Sequence, residues 1–322
     1  MKKISIIVTT YKHEKFIKNT IESILSQTYD NWELLIWDDS PDNETWEIIQ
    51  FYKKKYPKKI KAWHHKKNKW LIENIIFLTE KVSIDSEYIS FLDWDDMYSN
   101  NNLEEKINIF KTYSNVGIIT TWIKFIDELN NEKIIPLIWE LENNQKKWIK
   151  KYNISNMILS IQPPIRSFWN VIIKKEFLKY FKKVNLWKYK SDNIFIPYDL
   201  SIWLKIFPKT LVYHINKKLL LYRFHNNNNS WLENHKKLLE QTLFVFNKYK
   251  KNYSKEVLYV NFLIKSKLYL IDWEIFKSIK LLIKSFLLFP FNNLTYKTSI
   301  LLDILKIKKV IIKALNAILT KQ

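Results

Sequence analysis

Two groups of carboxylates carry the most chemical information in this chain: Asp38-Asp39, and the run Asp93-Trp94-Asp95-Asp96. Each group follows a short apolar run rich in β-forming residues, Glu33 to Trp37 and Tyr88 to Leu92. Open α/β sheets bind ligands at the carboxyl ends of their parallel strands. Clustered carboxylates in that place suit a nucleotide together with a divalent cation. The first expectation is an enzyme that handles a nucleotide-activated substrate.

Such carboxylates need a sheet behind them, and the first hundred residues supply one. Ile4 to Thr9 is a continuous apolar run, as expected of a strand covered on both faces. From Glu14 to Gln27, Ile17, Ile21, Ile24 and Leu25 recur at helical spacing. Glu33 to Trp37 predicts a second strand, Thr45 to Tyr56 a second helix and Ile60 to His64 a third strand. Trp70 to Val82 predicts a third helix and Tyr88 to Leu92 a fourth strand. Strands alternating with helices at this spacing predict a doubly wound, mostly parallel, Rossmann-like sheet.

Beyond Leu103 the pattern is less regular. Val116 to Trp122, Trp169 to Ile173, Leu211 to Ile215 and Leu219 to Phe224 read as strands, and Pro197 to Phe207 as a short helix. Asn226 to Asn229 reads as a loop. From about Ser230 the chain reads as helical to its end. There Leu301, Ile304, Leu305, Ile311, Leu315 and Ile318 form an apolar stripe, with Lys306, Lys309 and Lys313 on another face. No stretch has the 18 or so uncharged residues that a spanning helix needs. The tail is a packed helical appendage or a helix lying on a membrane or partner surface.

At 322 residues and 47% hydrophobic composition, the chain can bury a full core. It has no cysteine, so disulfides and catalytic or metal-binding thiols are excluded. The run after Met1-Lys2-Lys3 is too short for a signal peptide, which sets the expectation of a cytoplasmic protein. The net charge of +21 invites a nucleic-acid or anionic-membrane partner. Arg166 and Arg223 are nonetheless the only arginines, and Lys, Asn and Ile abound, which is what an AT-rich coding sequence produces. No nucleic-acid motif accompanies the charge, and no nucleic-acid partner is expected.

Glycine is nearly missing. Gly117 is the only one, against a usual share of about 7%, whereas tryptophan occurs 14 times. Trp37 ends a strand, Trp70 opens a helix and Trp94 stands inside the acidic run, all places that commonly need the missing Cβ of glycine. The sequence therefore raises the hypothesis that some tryptophans are glycines in the living protein, written by a UGA codon that its source reads as glycine. Trp32 and Trp203 read as true tryptophans.

Four motifs in order carry a resemblance: Ile4-Ser5-Ile6-Ile7-Val8-Thr9-Thr10-Tyr11, then Ile21-Glu22-Ser23-Ile24-Leu25-Ser26-Gln27-Thr28-Tyr29, then Asp38-Asp39-Ser40, then Phe91-Leu92-Asp93-Trp94-Asp95-Asp96. Over about residues 1 to 225 the chain resembles the family 2 glycosyltransferases with the GT-A fold. The family usually has a small residue at the place of Trp94 and a glycine at the place of Trp70. The resemblance implies Thr9, Tyr11, Asp38, Asp39 and Asp93 around a nucleotide-diphosphate sugar. Asp39 is the carboxylate for a uracil-type base and Asp38 the fallback. The leaving diphosphate calls for Mg2+ or Mn2+ on hard oxygen ligands, with Asp95 first and Asp96 as competitor. The competing readings are a helix N-cap pair for Asp38-Asp39 and a solvated acidic turn for Asp93 to Asp96.

An inverting transfer also needs a base for the acceptor hydroxyl. Tyr198-Asp199-Leu200-Ser201-Ile202-Trp203-Leu204-Lys205 resembles the family segment with an acid four positions before Trp-Leu-Lys, which makes Asp199 the candidate. Tyr198 stands where the family often has Glu, and a helix N-terminal cap is the alternative role for Asp199. Tyr222-Arg223-Phe224-His225 resembles a later family segment, with Arg223 expected on the diphosphate and His225 on diphosphate or metal, or in a structural role. His64-His65 would point to opposite strand faces and are not expected to chelate one ion. The Gln-x-x-Arg-Trp motif of processive synthases is absent, which argues against a polymerase.

The resemblance places a glycosyltransferase domain over residues 1–230, with a donor half 1–102 and an acceptor half 103–230, and a helical region over 231–322. The expected activity moves one sugar, from a UDP-sugar, to a glycan or lipid-linked acceptor in cell-surface polysaccharide synthesis. The enzyme would work in the cytoplasm or on the inner face of the membrane, where the basic C-terminal helices could touch lipid. The alternative is an inactive GT-A-like protein that binds nucleotide sugar or glycan, a reading that gains weight if Trp94 obstructs the donor loop.

Overall fold

The computed structural model describes residues 1–65, 68–69, 71–133, 148–159, 170–182, 198–225, 232–272, 274–288, 297 and 300. Two compact units divide the chain. The first comprises Met1–Tyr152, Ile165–Val184 and Ile202–Asn228, and the second Asn153–Pro164, Asn185–Ser201 and Asn229–Gln322.

The first unit is built on strands β1 (Lys3–Thr10), β2 (Trp32–Asp38), β3 (Ile60–His64), β4 (Ser86–Phe91), β5 (Met97–Tyr98), β6 (Val116–Ile126), β7 (Trp148–Lys151), β8 (Val171–Lys174) and β9 (Leu211–Arg223). Helices α1 (Glu14–Leu25), α2 (Glu44–Lys55) and α3 (Leu71–Lys81) alternate with the first four strands, and α4 (Asn102–Thr112) precedes β6. The spacing of α1 buries Phe16, Ile17, Ile21 and Ile24 on one face, which docks the helix on the sheet. In α2, Glu44 and Glu47 stand in the first turn and Lys53 to Lys55 in the last, matching the helix dipole at both ends.

The sheet order is β3-β2-β1-β4-β8-β6-β9-β5, with β7 added against β9. The pairs β2–β3, β1–β2 and β1–β4 are parallel, and β6–β9 is parallel too. Strands β5, β7 and β8 pair antiparallel with their neighbours. Ile4, Ile6, Ile7 and Val8 of β1 are fully buried, as a strand covered on both faces requires. The chain runs outward from β1 to β3 and then returns to β4 on the other side of β1. The gap between the carboxyl ends of β1 and β4 is therefore a topological switch point, where doubly wound sheets open a crevice.

Several details differ from the sequence reading. The two strands expected at 211–215 and 219–224 are one long strand, β9, whose pairing with β6 shifts register at Trp122. The exposed Asn216-Lys217-Lys218 in its middle imitates a turn. Helix α4 and strands β5 and β7 were not anticipated. Trp70, the Asn226 to Asn229 loop and the stripe from Leu301 to Ile318 lie outside the described residues.

The second unit contains α5 (Ile154–Leu159), the start of α6 (Tyr198–Ile206), α7 (Leu232–Asn247), α8 (Ser254–Ile271) and α9 (Ile275–Leu288). α8 buries Val257, Tyr259, Val260, Leu263 and Ile264. It meets α9 through small residues, with Ser266 Oγ donating to Ser278 O at 2.8 Å. α9 is turned inside out for a surface helix. Ser278, Leu282 and Ser285 face inward, whereas Phe276 is 90% and Leu287 80% exposed, and Ile279 and Ile283 lie between them on the same outer face. Among the described residues no helix is long and apolar enough to cross a membrane.

Candidate active site

The carboxyl end of β1 is the floor of the crevice. Thr9 and Thr10 are buried there, and Thr9 Oγ1 has no hydrogen-bond partner. The chain then turns sharply through Lys12, held in the left-handed region at φ 56° by its N–H bond to Ser40 Oγ (2.8 Å). His13 closes the turn, its Nδ1 accepting from Tyr11 N at 2.9 Å and lying 3.1 Å from Thr10 Oγ1. Burial, reinforced by the nearby His225, lowers the His13 pKa to about 3, so its ring is neutral. Tyr11 is 38% exposed at the rim.

At the end of β2 the two aspartates divide. Asp38 Oδ1 accepts from Ser40 N (3.1 Å) and Ser40 Oγ (2.6 Å), and Asp38 Oδ2 lies 3.7 Å from His64 Nε2. Burial raises the pKa of Asp38. Asp39 N donates to Thr10 O at 3.1 Å, which ties this loop to β1. Its Oδ2 accepts from Lys69 N (2.8 Å) and Asn74 Nδ2 (2.6 Å), while Oδ1 accepts from the indole N–H of Trp37. Neither aspartate caps α2, which starts after Asn43, so the helix-cap reading of the pair does not hold.

The acidic run follows β4, and Leu92 N still donates to Ile7 O at 3.1 Å. α1 pins the run from below: Thr20 Oγ1 lies 2.7 Å from Trp94 O and 2.8 Å from Asp96 O. Asp93 is half-buried, with Oδ1 accepting from Trp94 N at 3.0 Å. Asp95 and Asp96 are buried, so the solvated-turn reading does not hold either. Asp95 Oδ2 lies 2.8 Å from His225 Nε2. Asp96 Oδ1 accepts from Arg223 N (2.9 Å), and its Oδ2 is buried without a partner. Burial first, and then the charge of Asp95, push the carboxyls of Asp93 and Asp96 well above the usual carboxylate range.

Arg223 takes a different place from the expected diphosphate contact. It is fully buried, and its guanidinium donates to the backbone oxygens of Asp95 (2.8 Å), Asp127 (2.9 Å) and Glu128 (3.2 Å) while lying over the Phe16 ring. A cation spent on carbonyls of two loops fixes the acidic run to the end of β6, which is a positioning role. Two residues later, His225 is carried to Asp95. Asp199 stands in the first turn of α6, and its side chain lies outside the described residues.

His13 was missed by the sequence reading. Its position three residues past β1 was visible, but its approach to the acidic run depends on the left-handed turn at Lys12. The Trp94 ring lies parallel to the His13 ring, with centroids 3.1 Å apart and planes 1° apart, and its centroid is 5.6 Å from that of His225. His64 Nε2 lies 2.8 Å from Ser40 O and 3.7 Å from Asp38 Oδ2. A solvent-open cleft of about 830 Å3 between α1 and α2, walled by Glu22, Phe51 and Tyr52 among others, shares no residue with this cluster.

Among the described residues, no three His, Asp or Glu side chains converge as a ready-made metal cage. The donor set still suits a hard divalent ion. Asp96 Oδ2 is buried without a hydrogen-bond partner, and the raised pKa values of Asp93 and Asp96 mark carboxylates that a bound divalent cation would stabilise.

The family model described as Glycosyl transferase family 2 matches residues 5–181. The chain is 31% identical over 140 residues to EpsE of Bacillus subtilis, provisionally named a glycosyltransferase, and it spans half of that relative's length and 43% of its own. It is 27% identical over 229 residues to the uncharacterized glycosyltransferase MJ1057 of Methanocaldococcus jannaschii, covering 70% of this chain and 72% of the relative. It is 27% identical over 213 residues to a processive diacylglycerol beta-glycosyltransferase of Mycoplasma genitalium, covering 64% and 59%. In fold it resembles Staphylococcus aureus TarS in complex with UDP-GlcNAc, with a TM-score of 0.54, 16% identity and coverage of 83% of this chain and 71% of that one. It also resembles the mannosyltransferase PcManGT of Pyrobaculum calidifontis in complex with GDP-Man and Mn2+, with a TM-score of 0.55, 12% identity and coverage of 88% and 74%.

Proposed function

The chain belongs to glycosyl transferase family 2, and from that premise we propose that it transfers a single sugar, with inversion, from a UDP-sugar to a glycan or lipid-linked acceptor of the cell surface. One observation carries the reading: the acidic run after β4 and Asp38-Asp39 after β2 flank the carboxyl end of β1 at the switch point of the sheet. Asp39 would receive the base and Thr9 and Tyr11 the nucleotide, with Asp93 toward the ribose. Asp95, Asp96 and His225 would hold Mg2+ or Mn2+, which when bound supplies charge neutralisation for the departing diphosphate. The complexes of TarS with UDP-GlcNAc and of PcManGT with GDP-Man and Mn2+ support this choice of ligands by likeness of fold.

The remaining roles fall to this chain's own side chains. Arg223 holds the acidic run in place through backbone oxygens, and neutral His13 walls the crevice without adding a positive charge beside the cation. Asp199 would remove the proton from the acceptor hydroxyl. The outward apolar face of α9, flanked by Lys277, Lys280 and Lys284, supports contact with an anionic membrane surface, where a lipid-linked acceptor would be met.

Release of sugar from UDP-sugars with Mn2+ tests the assignment. Asp95→Asn and Asp199→Asn should each abolish transfer, and only Asp95→Asn should also weaken UDP binding. Measurable activity that is equal in Asp95→Asn and its parent, with residue 94 the same in both, would overturn the site. The second reading, an inactive nucleotide-sugar binder, is favoured by one feature, the indole of Trp94 stacked on His13 and 5.6 Å from the His225 ring.

A further inference from the structure

That indole is anomalously placed. Aromatic pairs settle with ring centroids about 4.5–7 Å apart, and the parallel His13–Trp94 stack at 3.1 Å is closer than the thickness of a π system allows. The ring has nowhere better to go. His13 is fixed by Thr10 and Tyr11, Phe16 lies 6.2 Å away on α1, and His225 is held by Asp95. The backbone of residue 94 asks nothing of a side chain: its N–H bonds Asp93 Oδ1 and its carbonyl bonds Thr20. Its conformation is not left-handed, since only Lys12 and Asn130 among the described non-glycine residues have positive φ. The demand at this position is therefore for space.

Trp37 shows the same conflict at the other half of the crevice. Its indole N–H occupies Asp39 Oδ1, an acceptor that the base of a nucleotide would need. Trp203, by contrast, is buried in the core and stacks on Phe207 at an ordinary 5.3 Å. Gly117 shows that the fold enforces glycine where sterics demand it. A Cβ there would lie 2.6 Å from Phe177 Cε2 and 2.9 Å from Thr210 Cβ. One glycine and 14 tryptophans in 322 residues is the composition expected if some glycine codons are translated as tryptophan.

We infer that residue 94 is glycine in the native protein, its codon being read as glycine in the source cell, and that an indole there obstructs the place where the donor is proposed to bind. The second half of this statement rests on the reading under Proposed function, and the first half does not. Glycine at 94 removes the ring beside His13 and His225 and lets the donor diphosphate approach the backbone of the acidic run.

The decisive measurement is peptide mass spectrometry of the protein purified from the cells that encode it, reading residue 94 in the tryptic peptide from Val82 to Lys106. Glycine is expected at 94, and tryptophan there overturns the inference whatever the protein binds. In parallel, calorimetry with UDP and with GDP, each with Mn2+, compares the chain as written with Trp94→Gly. Trp94→Phe serves as a folded variant that keeps a ring in place. Trp94→Gly should bind at least about tenfold tighter than both others. Equal binding by all three overturns the claim that the ring obstructs. Glycine in the native peptide with no nucleotide binding by any variant would uphold the identity of residue 94 and sink the donor reading.

Discussion

Lys106 is a buried group whose removal should change the stability of the molecule. It sits in α4, fully buried, and its ammonium has no hydrogen-bond partner, although it lies 5.3 Å from the Tyr98 ring. Burial lowers its pKa from 10.5 to about 7. A base whose folded pKa is depressed binds fewer protons folded than unfolded between those two values, so stability rises with pH across that window. At pH 7.5 the cost of carrying this lysine into the core is about 4 kcal/mol, and at pH 9 about 2 kcal/mol, at 1.36 kcal/mol per pKa unit. Methionine has a similar volume and no charge, so Lys106→Met should recover most of that cost with little repacking. Urea denaturation of both proteins at the two pH values reads the effect. The variant should be more stable by at least about 2 kcal/mol at pH 7.5, and its advantage should shrink by about 2 kcal/mol at pH 9. A variant that is less stable than the parent, or an advantage independent of pH, would refute the argument. Either result would mean that the amine has a partner, for which Asn102 Oδ1, buried and unpaired one turn earlier, stands nearest in sequence.

Three other perturbations have defined outcomes. Gly117→Ala should destabilise by about 1–3 kcal/mol in a thermal melt, because its Cβ meets Phe177 and Thr210 on opposing elements. Glu33 is buried, which alone would raise its pKa, but bonds from Lys61, Ser5 and Ser83 outweigh burial and hold it at about 2. Its stabilisation is therefore complete above about pH 4.5 and lost as pH falls toward 2. Glu33→Gln should cost up to about 3 kcal/mol at pH 7 and nothing near pH 2, as read by denaturant titration. For α9, replacing Phe276, Ile283 and Leu287 together by Ser should abolish sedimentation with anionic phospholipid vesicles without changing the melting temperature. Unchanged sedimentation would remove the membrane from the account.

How much of this was legible in the residues can be read from particular elements. The first four strands and three helices were visible because a doubly wound half alternates continuous apolar runs with helical spacing, and each run is long enough to show its period. α4 carries the same signal in Leu103, Ile107 and Phe110, but the polar run from Ser99 to Glu105 masks its start. β7 is short and lysine-rich, so nothing in its pattern marks a strand. The split expected in β9 came from its exposed Asn216-Lys217-Lys218, where register shifts rather than the chain turning. In the candidate site, Asp38, Asp39, Asp93, Asp95 and Asp96 were legible as candidates because acid clusters after strands are local signals. The position of Arg223 depends on which carbonyls happen to lie beside the end of β9, and that is a property of three dimensions alone.

Far from the crevice, at the amino ends of the same strands, Glu33 accepts from Ser5 Oγ at 2.6 Å, from Ser83 through both N–H and hydroxyl, and from Lys61, while Ser5 and Ser86 hydroxyls lie 2.6 Å apart. This knot clamps β1, β2 and β4 at the rim opposite the candidate site. Selection can then rework the opposite rim, exchanging one donor preference for another, while the scaffold's cohesion is guarded elsewhere. A fold fastened at its back edge is free to diversify at its front.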